Sequence, residues 1–224
     1  MLRRRFCRTV ASAVAAGLMV IAGAAAPAAA EQHVATVPAA LAEQDQADIQ
    51  RIEQYLNRLT TLRSRFIQVN SLGAFAEGEL YLDRPGHMRF EYDPPHPIVI
   101  IARDGSLLYY NKELKQASFI PVGNTPLRFL AEDDVSLSDN AVVTAIERGE
   151  ATLSVTLVDN GPGYEGELTL VFADQPLALR KWQIIDPEGV TIQVGLINPQ
   201  FGVAIDDELF EYGDLDVYGF KGGK

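Results

Sequence analysis

Cysteine is nearly absent from this chain of 224 residues, whose single copy is Cys7. One cysteine excludes an intramolecular disulfide and a metal site built from several thiolates. Histidine is also scarce, and the three copies, His33, His87 and His96, lack the spacing of a helical zinc motif. We therefore expect neither a metal site nor a catalytic histidine.

Basic residues are few. The chain has 19 lysines and arginines against 30 aspartates and glutamates, a formal net charge of −11. An acidic chain without a basic stripe is unsuited to phosphate backbones, so we expect no nucleic-acid partner. Hydrophobic residues make up 47% and charged residues 22%, which is ordinary globular composition and excludes a disordered chain or one with many membrane spans.

Enzyme motifs are missing or fail on context. The chain has no G-x-S-x-G elbow. Residues 161–166 match G-x-G-x-x-G, but apolar alternation before and after them predicts a hairpin connection, whereas a dinucleotide site needs a helix after the motif. The acidic clusters at 132–134 and 206–208, and the pair Asp214 and Asp216, lack the ligand spacing of a calcium loop. We expect no enzyme activity and no cofactor.

The first thirty residues are typical of a secretory signal. Four arginines within residues 1–8 precede an apolar stretch at 10–26, and three alanines end at Ala30. The alternative is a membrane anchor, but the small-residue end favours cleavage near residue 30. Export of this type predicts a periplasmic protein, and the arginine run leaves the Sec and Tat routes open.

One helix is expected after a disordered linker at 31–45. Apolar side chains recur at helical spacing from Ile49 to Leu59, and Asp45 or Asp48 is a candidate cap. We expect one folded domain over 46–212 and a short polar tail over 213–224.

From Thr60 onward the hydrophobic period changes from 3.6 to 2. Apolar and polar residues alternate at 79–83, 87–93, 152–157, 167–172 and 190–196, with turn residues between the runs. A short helix is predicted after Thr125 as N-cap and Pro126 in the first turn. The fold class is mainly β (α+β): an antiparallel meander of about ten strands with two or three helical pieces.

A sheet of this size must curl or close. Its strands supply more inward apolar residues than two short helices cover. Two arrangements remain open: a barrel filled by its own side chains, or a concave apolar face that forms a cavity under a helical lid.

Four segments carry a resemblance to a known family. They are Leu-Arg-Ser-Arg-Phe-Ile-Gln at 62–68, Gly-Glu-Leu-Tyr-Leu-Asp-Arg-Pro-Gly-His-Met-Arg-Phe-Glu-Tyr at 78–92, Asp-Gly-Ser-Leu-Leu-Tyr-Tyr-Asn at 104–111, and Gly-Asn-Thr-Pro at 123–126. In order and spacing the chain resembles the LolA family of periplasmic lipoprotein carriers.

The resemblance implies an incomplete antiparallel β-barrel whose concave apolar face is covered by short helices. The cavity would hold the acyl chains of lipoproteins, taken from an inner-membrane ABC transporter and delivered to an outer-membrane receptor or to the outer membrane itself. A monomer without cofactor or catalysis is expected. A carrier or sensor of another amphiphile, such as a glycolipid, is the alternative on the same fold.

The resemblance also implies site residues. Arg84, before Pro85, would act as a gate that bonds carbonyls of the lid at Gly123, Asn124, Thr125 and Pro126. The acyl-chain cavity would be lined by Phe66, Leu80, Leu82, Met88, Phe90, Tyr92, Leu127 and Leu130, with Phe129 as a possible substitute.

Overall fold

Strands dominate the part of the chain that can be described. The computed structural model describes residues 43–159 and 166–213. Its helices are α1 (Glu43–Arg58), α2 (Arg128–Ala131) and α3 (Leu137–Asn140), with 3-10 turns at Val122–Asn124 and Asp207–Phe210. The strands are β1 (Thr61–Asn70), β2 (Phe75–Asp83), β3 (His87–Tyr92), β4 (Ile98–Arg103), β5 (Ser106–Asn111), β6 (Gln116–Pro121), β7 (Ala141–Arg148), β8 (Thr152–Asp159), β9 (Glu167–Ala173), β10 (Ala178–Ile185) and β11 (Thr191–Phe201).

Within the described residues these eleven strands form one antiparallel sheet. Their order is β6-β5-β4-β3-β2-β1-β11-β10-β9-β8-β7, so the pairing of β1 with β11 joins the two halves. The edge strands β6 and β7 are not paired with each other, and the connection between them carries α2 and α3. The sheet is open, and the mainly β prediction is confirmed.

Alternation along most of the strands puts one apolar row on the concave face. In β2 and β9 every second side chain is buried, as the period of 2 predicted. The apolar stripe of α1, with Ile49, Ile52 and Leu56, packs into the same core. Tyr55 of α1 meets Phe172 of β9 edge to face at 5.5 Å between ring centroids. Helix α1 therefore covers the concave side.

The start of α1 differs from the prediction. The helix begins at Glu43, inside the stretch expected to be linker, and Asp45 and Asp48 lie within it rather than capping it. Acidic residues in the first turn stabilise a helix through their interaction with its dipole. Arg148 forms ion pairs with both aspartates. The predicted signal at 1–30, the rest of the linker, the connection at 160–165 and the tail from 214 lie outside the described residues.

A second apolar cluster lies on the convex face, and the sequence pattern did not indicate it. Leu108 and Tyr110 of β5 are buried there against Tyr212, in the segment after β11. Arg89 Nη1 holds this segment by donating to the carbonyl oxygen of Leu209 at 2.9 Å. Residues 207–213 therefore cover part of β3, β4 and β5 from outside.

Candidate functional site

An apolar pocket of about 400 Å³ opens on the concave face. Its walls come from strands of both halves of the sheet and from the segment that leads into α2. It is lined by Gln68, Phe90, Tyr92, Ile100, Leu107, Tyr109, Thr125, Pro126, Leu127, Trp182, Ile184, Asp186, Ile192 and Val194. Most of these side chains are apolar, and the volume is in the range of about 300–1,000 Å³ usual for small-molecule sites.

The curl of the sheet creates the pocket floor. Phe90 lies on β3 and Trp182 on β10, with β2, β1 and β11 between those strands. Their rings nevertheless meet edge to face, with centroids 6.2 Å apart. A flat sheet with strands about 4.8 Å apart would hold them far from each other. The contact requires strong curvature, which turns the apolar row into a concave wall.

Phe66 supports the floor from β1. Its ring meets Phe90 at 5.4 Å and Tyr92 at 5.1 Å, both edge to face. In register, Phe66 stands opposite Gly78, where an added Cβ would lie 2.7 Å from the Phe66 ring. A glycine at this position therefore makes room for the ring, and the ring covers the gap.

Tyr92 and Gln68 form a neutral polar pair on the pocket wall. The Tyr92 hydroxyl donates to Gln68 Oε1 at 2.8 Å. Burial raises the pKa of Tyr92 to about 12, with a smaller contribution from Tyr109 and an opposing one from the bond to Gln68. An uncharged phenol and amide cost little beside hydrocarbon when they satisfy each other.

The segment over the pocket folds differently from the prediction. Thr125 follows a 3-10 turn, and both its backbone N–H and its hydroxyl donate to the Val122 carbonyl. The N-cap of α2 is Leu127, so the prediction that Thr125 caps the helix is wrong. The reason is local, because the hydroxyl bonds backward to Val122 instead of forward. Thr125, Pro126 and Leu127 thereby form a turn that makes the rim of the pocket.

Arg84 ties the β2–β3 turn to two helix ends. Its Nη1 donates to the Leu59 carbonyl at 3.2 Å, and its Nε donates to the Glu132 carbonyl at 3.0 Å. Its Nη2 donates to the carbonyls of Glu132 and Asp133. Burial lowers the pKa of Arg84, and the carboxylates of Asp133 and Glu132 oppose that shift.

The expected partners of Arg84 at Gly123, Asn124, Thr125 and Pro126 are therefore wrong. The carbonyls that follow α1 and α2 have no partner inside their helices, and they lie next to this turn. The backbone confirms the proximity, since Gly86 N–H donates to the Ala131 carbonyl at 2.8 Å. The gate role of Arg84 stays a prediction.

Polar contacts join α1 to the segment after α2. The Asn57 side chain donates to the Val135 carbonyl at 3.1 Å and accepts from the Val135 N–H at 2.8 Å. Glu53 Oε1 accepts from the Leu137 N–H at 2.8 Å. Helix α1 and residues 132–137 are thus bonded to each other as well as to Arg84. These two segments, rather than residues 123–126, form the unit named the lid.

The far end of α1 is fixed by an ion-pair network. Asp48 is only 5% exposed, and both Arg51 and Arg148 bond its carboxylate at 2.7 Å. Arg51 also reaches Asp174, and Arg148 reaches Asp45, each at 2.7 Å. The hydrogen bond to Asp174 raises the pKa of Arg51 most, and the hydrogen bond to Asp48 raises it further. The network connects the first turns of α1 to the ends of β7 and β9.

The predicted cavity residues fall into two groups. Phe90, Tyr92 and Leu127 line the pocket, together with Thr125 and Pro126 of the predicted gate. Gly123 and Asn124 are exposed in the 3-10 turn and are not on the pocket wall. The other predicted residues are packed in the surrounding core, where each is at most 4% exposed: Phe66, Leu80, Leu82, Met88, Phe129 and Leu130.

Sequence reasoning missed the opposite wall, formed by Trp182 and Ile184 of β10 and by Ile192 and Val194 of β11. The alternation at 190–196 placed Ile192 and Val194 on one face, but it did not show what that face meets. The only tryptophan of the chain, in an apolar strand, was the available signal for Trp182.

The described residues 43–159 and 166–213 lack both a metal-binding cluster and a helix suited to crossing a membrane. They contain no group of three or more histidine, cysteine or carboxylate side chains placed to hold a metal ion. None of their helices is both long and apolar enough to cross a membrane.

Comparison with known proteins agrees with the four sequence motifs. The family model described as outer membrane lipoprotein carrier protein LolA matches residues 57–213. The chain belongs to the LolA family. The resemblance read from the sequence is confirmed.

The relatives are distant. An outer-membrane lipoprotein carrier protein of Azotobacter vinelandii is 24% identical over 180 residues, covering 76% of this chain and 86% of the relative. An uncharacterized protein of Rickettsia prowazekii is 23% identical over 171 residues, covering 76% and 78%. A solved LolA superfamily protein from Nitrosomonas europaea superposes with a TM-score of 0.46 at 7% identity, covering 73% of this chain and 97% of that one.

Proposed function

We propose that this protein is a periplasmic carrier that binds the acyl chains of lipoproteins in the concave pocket and shuttles them from the inner to the outer membrane. The observation that carries the proposal is the apolar pocket between the Phe90–Trp182 floor and the Leu127 rim. Membership of a family described as outer membrane lipoprotein carriers supports it. That description is of a carrier and not of an enzyme.

The free energy of moving acyl chains out of water, together with the size of the pocket, favours a carrier that changes shape. Burying one methylene is worth about 0.8 kcal/mol, so free acyl chains are effectively insoluble. The pocket of about 400 Å³ lies near the low end of the range of about 300–1,000 Å³ usual for small-molecule sites. Several acyl chains together are larger than one small molecule, so binding them requires the pocket to widen.

The contacts of Arg84 support a role in release. They would hold the lid against the β2–β3 turn when no acyl chain is bound, since hydrogen bonds to a charged group contribute about 1.5–3 kcal/mol each. Closure competes with the acyl chains for the same space, so it lowers the net affinity. A carrier needs this competition because it must surrender its cargo.

The partners follow from the proposed route. Cargo would come from an inner-membrane ABC transporter and go to an outer-membrane receptor or to the outer membrane itself, with the carrier acting as a monomer. The secretory signal predicted at 1–30 and the family of carriers support a periplasmic location. The acidic net charge of −11 fits a protein that does not adhere to anionic lipid surfaces between these steps.

Mass spectrometry of the protein purified from periplasm tests the proposal. We expect co-purified lipoproteins whose acylated amino termini are released when the protein is denatured. A co-purified glycolipid in their place would indicate a carrier or sensor of another amphiphile on the same fold. Protein that carries no lipid, and that takes up no acyl chain when incubated with solubilised lipoprotein, would overturn the carrier function.

A further inference from the structure

The β1–β2 hairpin exposes apolar side chains at its tip. Leu72 is 77% exposed and Phe75 is 52% exposed, and Val69 beside them is 39% exposed. Single exposed apolar residues are common, but a group at the tip of one hairpin is not. Within residues 43–159 and 166–213, none of these three side chains belongs to a buried apolar cluster.

The hairpin also carries no charge. Residues 66–76 contain no Asp, Glu, Lys or Arg, in a chain of which 22% is charged. Other exposed turns differ, as the β5–β6 hairpin shows, where Leu114 is 63% exposed between Glu113 and Lys115. Charged side chains are what keeps an exposed surface out of hydrocarbon, and the first hairpin has none.

Its backbone N–H groups are satisfied without water. The N–H groups of residues 70–74 all donate within the protein: Asn70 Oδ1 accepts from Leu72 at 3.0 Å and from Ala74 at 2.8 Å, and the Thr191 carbonyl accepts from residue 71 at 2.9 Å. Unsatisfied backbone groups are the main cost of placing a loop in lipid. For its N–H groups the tip avoids that cost.

The hairpin stands at the mouth of the pocket. A smaller cavity of about 210 Å³ is lined by Ala74 and Phe75 on one side and by Gln68, Tyr92 and Tyr109 on the other. The last three also line the main pocket. A surface in contact with the hairpin tip therefore lies next to the side of the main pocket that Gln68, Tyr92 and Tyr109 form.

We propose that the tip of the β1–β2 hairpin, with Leu72 and Phe75, inserts into the surface of a phospholipid bilayer and places the pocket mouth against it. The proposal rests on the proposed carrier function, which supplies the reason for the contact. The occupant is lipid rather than a protein groove, because the tip is uncharged, exposes apolar side chains and has its N–H groups bonded internally. Charge attraction contributes nothing, since the chain is acidic.

Vesicle sedimentation tests the contact directly. The protein purified from periplasm, free of cargo, is mixed with phosphatidylcholine vesicles and centrifuged. We expect part of the wild type to sediment, to an extent that salt does not reduce, because no charge pairs are involved. Leu72→Asn should lower the partition coefficient about tenfold. Leu114→Asn is the matched control and should leave it unchanged.

Three results would overturn the proposal: wild type that stays in the supernatant, Leu72→Asn that sediments like wild type, or equal losses in the two variants. The first would leave a protein surface as the partner of the tip. Affinity for a fluorescent fatty-acyl probe, measured on the same samples, reports on the carrier function separately. Probe binding without vesicle binding removes this proposal alone, and vesicle binding without probe binding removes the carrier function.

Discussion

Leu127 and Met88 are both apolar side chains of the concave side, but they have different surroundings. Leu127 is half-buried on the pocket wall, and Met88 is 2% exposed in the core of β3. A carboxylate at either place must be desolvated or protonated, which costs several kcal/mol. At Leu127 this cost weakens the binding of lipid, and at Met88 it lowers the stability of the fold.

We therefore expect Leu127→Glu to keep the wild-type circular dichroism spectrum and to bind a fluorescent fatty-acyl probe at least about a hundredfold more weakly. Met88→Glu should lower the free energy of unfolding by about 2–5 kcal/mol. Thermal melts and probe titrations measure both effects. Leu127→Glu with wild-type probe affinity would remove Leu127 from the binding wall.

Tyr92 gives the pocket a signature at high pH. Burial raises its pKa to about 12 in the folded protein, above the value of about 10 expected when unfolded. The folded state therefore holds the phenolic proton more tightly. The resulting stability is fully present below about pH 10 and is lost as the pH rises through about 12.

The Tyr92→Phe variant lacks this titration. Between about pH 9 and about pH 11, wild type should lose about 1 kcal/mol more of its free energy of unfolding than the variant does. Denaturant titrations at the two pH values measure the difference. Parallel losses in the two proteins would mean that the Tyr92 hydroxyl is solvated and the pocket end is open.

Residue roles could be predicted from the sequence only where local pattern decides them. The alternation in β3 put Phe90 and Tyr92 on the inner face, and both line the pocket. It could not separate pocket wall from core, so Met88 was grouped with them. Trp182 meets Phe90 only because the sheet curls across three intervening strands, and strand periodicity does not encode that contact.

At the scale of elements, Arg84 joins three of them: the β2–β3 turn, the end of α1 and the end of α2. Its guanidinium donates to the carbonyls of Leu59, Glu132 and Asp133. The sequence predicted an arginine at a stiff corner before Pro85, but it named the wrong carbonyls. Those carbonyls depend on where α2 ends, and α2 starts later than Thr125 and Pro126 suggested.

Replacing this arginine should change release more than loading. In Arg84→Leu the lid loses its bonds to the turn, so the equilibrium between closed and open forms shifts about ten- to hundredfold toward the open form. We expect loading from detergent-solubilised lipoprotein to be equal or better, and release to an acceptor membrane to slow by a similar factor. Rates measured with purified proteins decide this.

Arg63→Leu is the control for that experiment, because Arg63 is an exposed arginine on β1 whose side chain contacts Glu79 and Tyr81 of β2 rather than α1 or residues 132–137. It should load and release like wild type. An Arg84→Leu protein that melts like wild type and also releases at the wild-type rate would show that the turn contacts do not control the lid.

Across the whole molecule, the strand period and the turn residues predicted an antiparallel sheet, and the structure has one. The sequence also showed that this sheet must curl, because two or three short helices cannot cover so many apolar side chains. Whether the result is filled or hollow depends on how far the lid packs down. The structure shows both outcomes: a packed core around Met88 and Leu80, and a pocket of about 400 Å³ beside it.

Trp182 allows the central claim, that this pocket binds acyl chains, to be measured directly. It is the only tryptophan of the chain, and it lines the pocket floor. Bromine quenches tryptophan fluorescence only at contact distance, so a lipopeptide with brominated acyl chains reports occupancy of this pocket. We predict saturable quenching that an unbrominated lipopeptide reverses and that Leu127→Glu abolishes. Fluorescence that stays unquenched while the lipopeptide binds would place the acyl chains elsewhere and contradict the account.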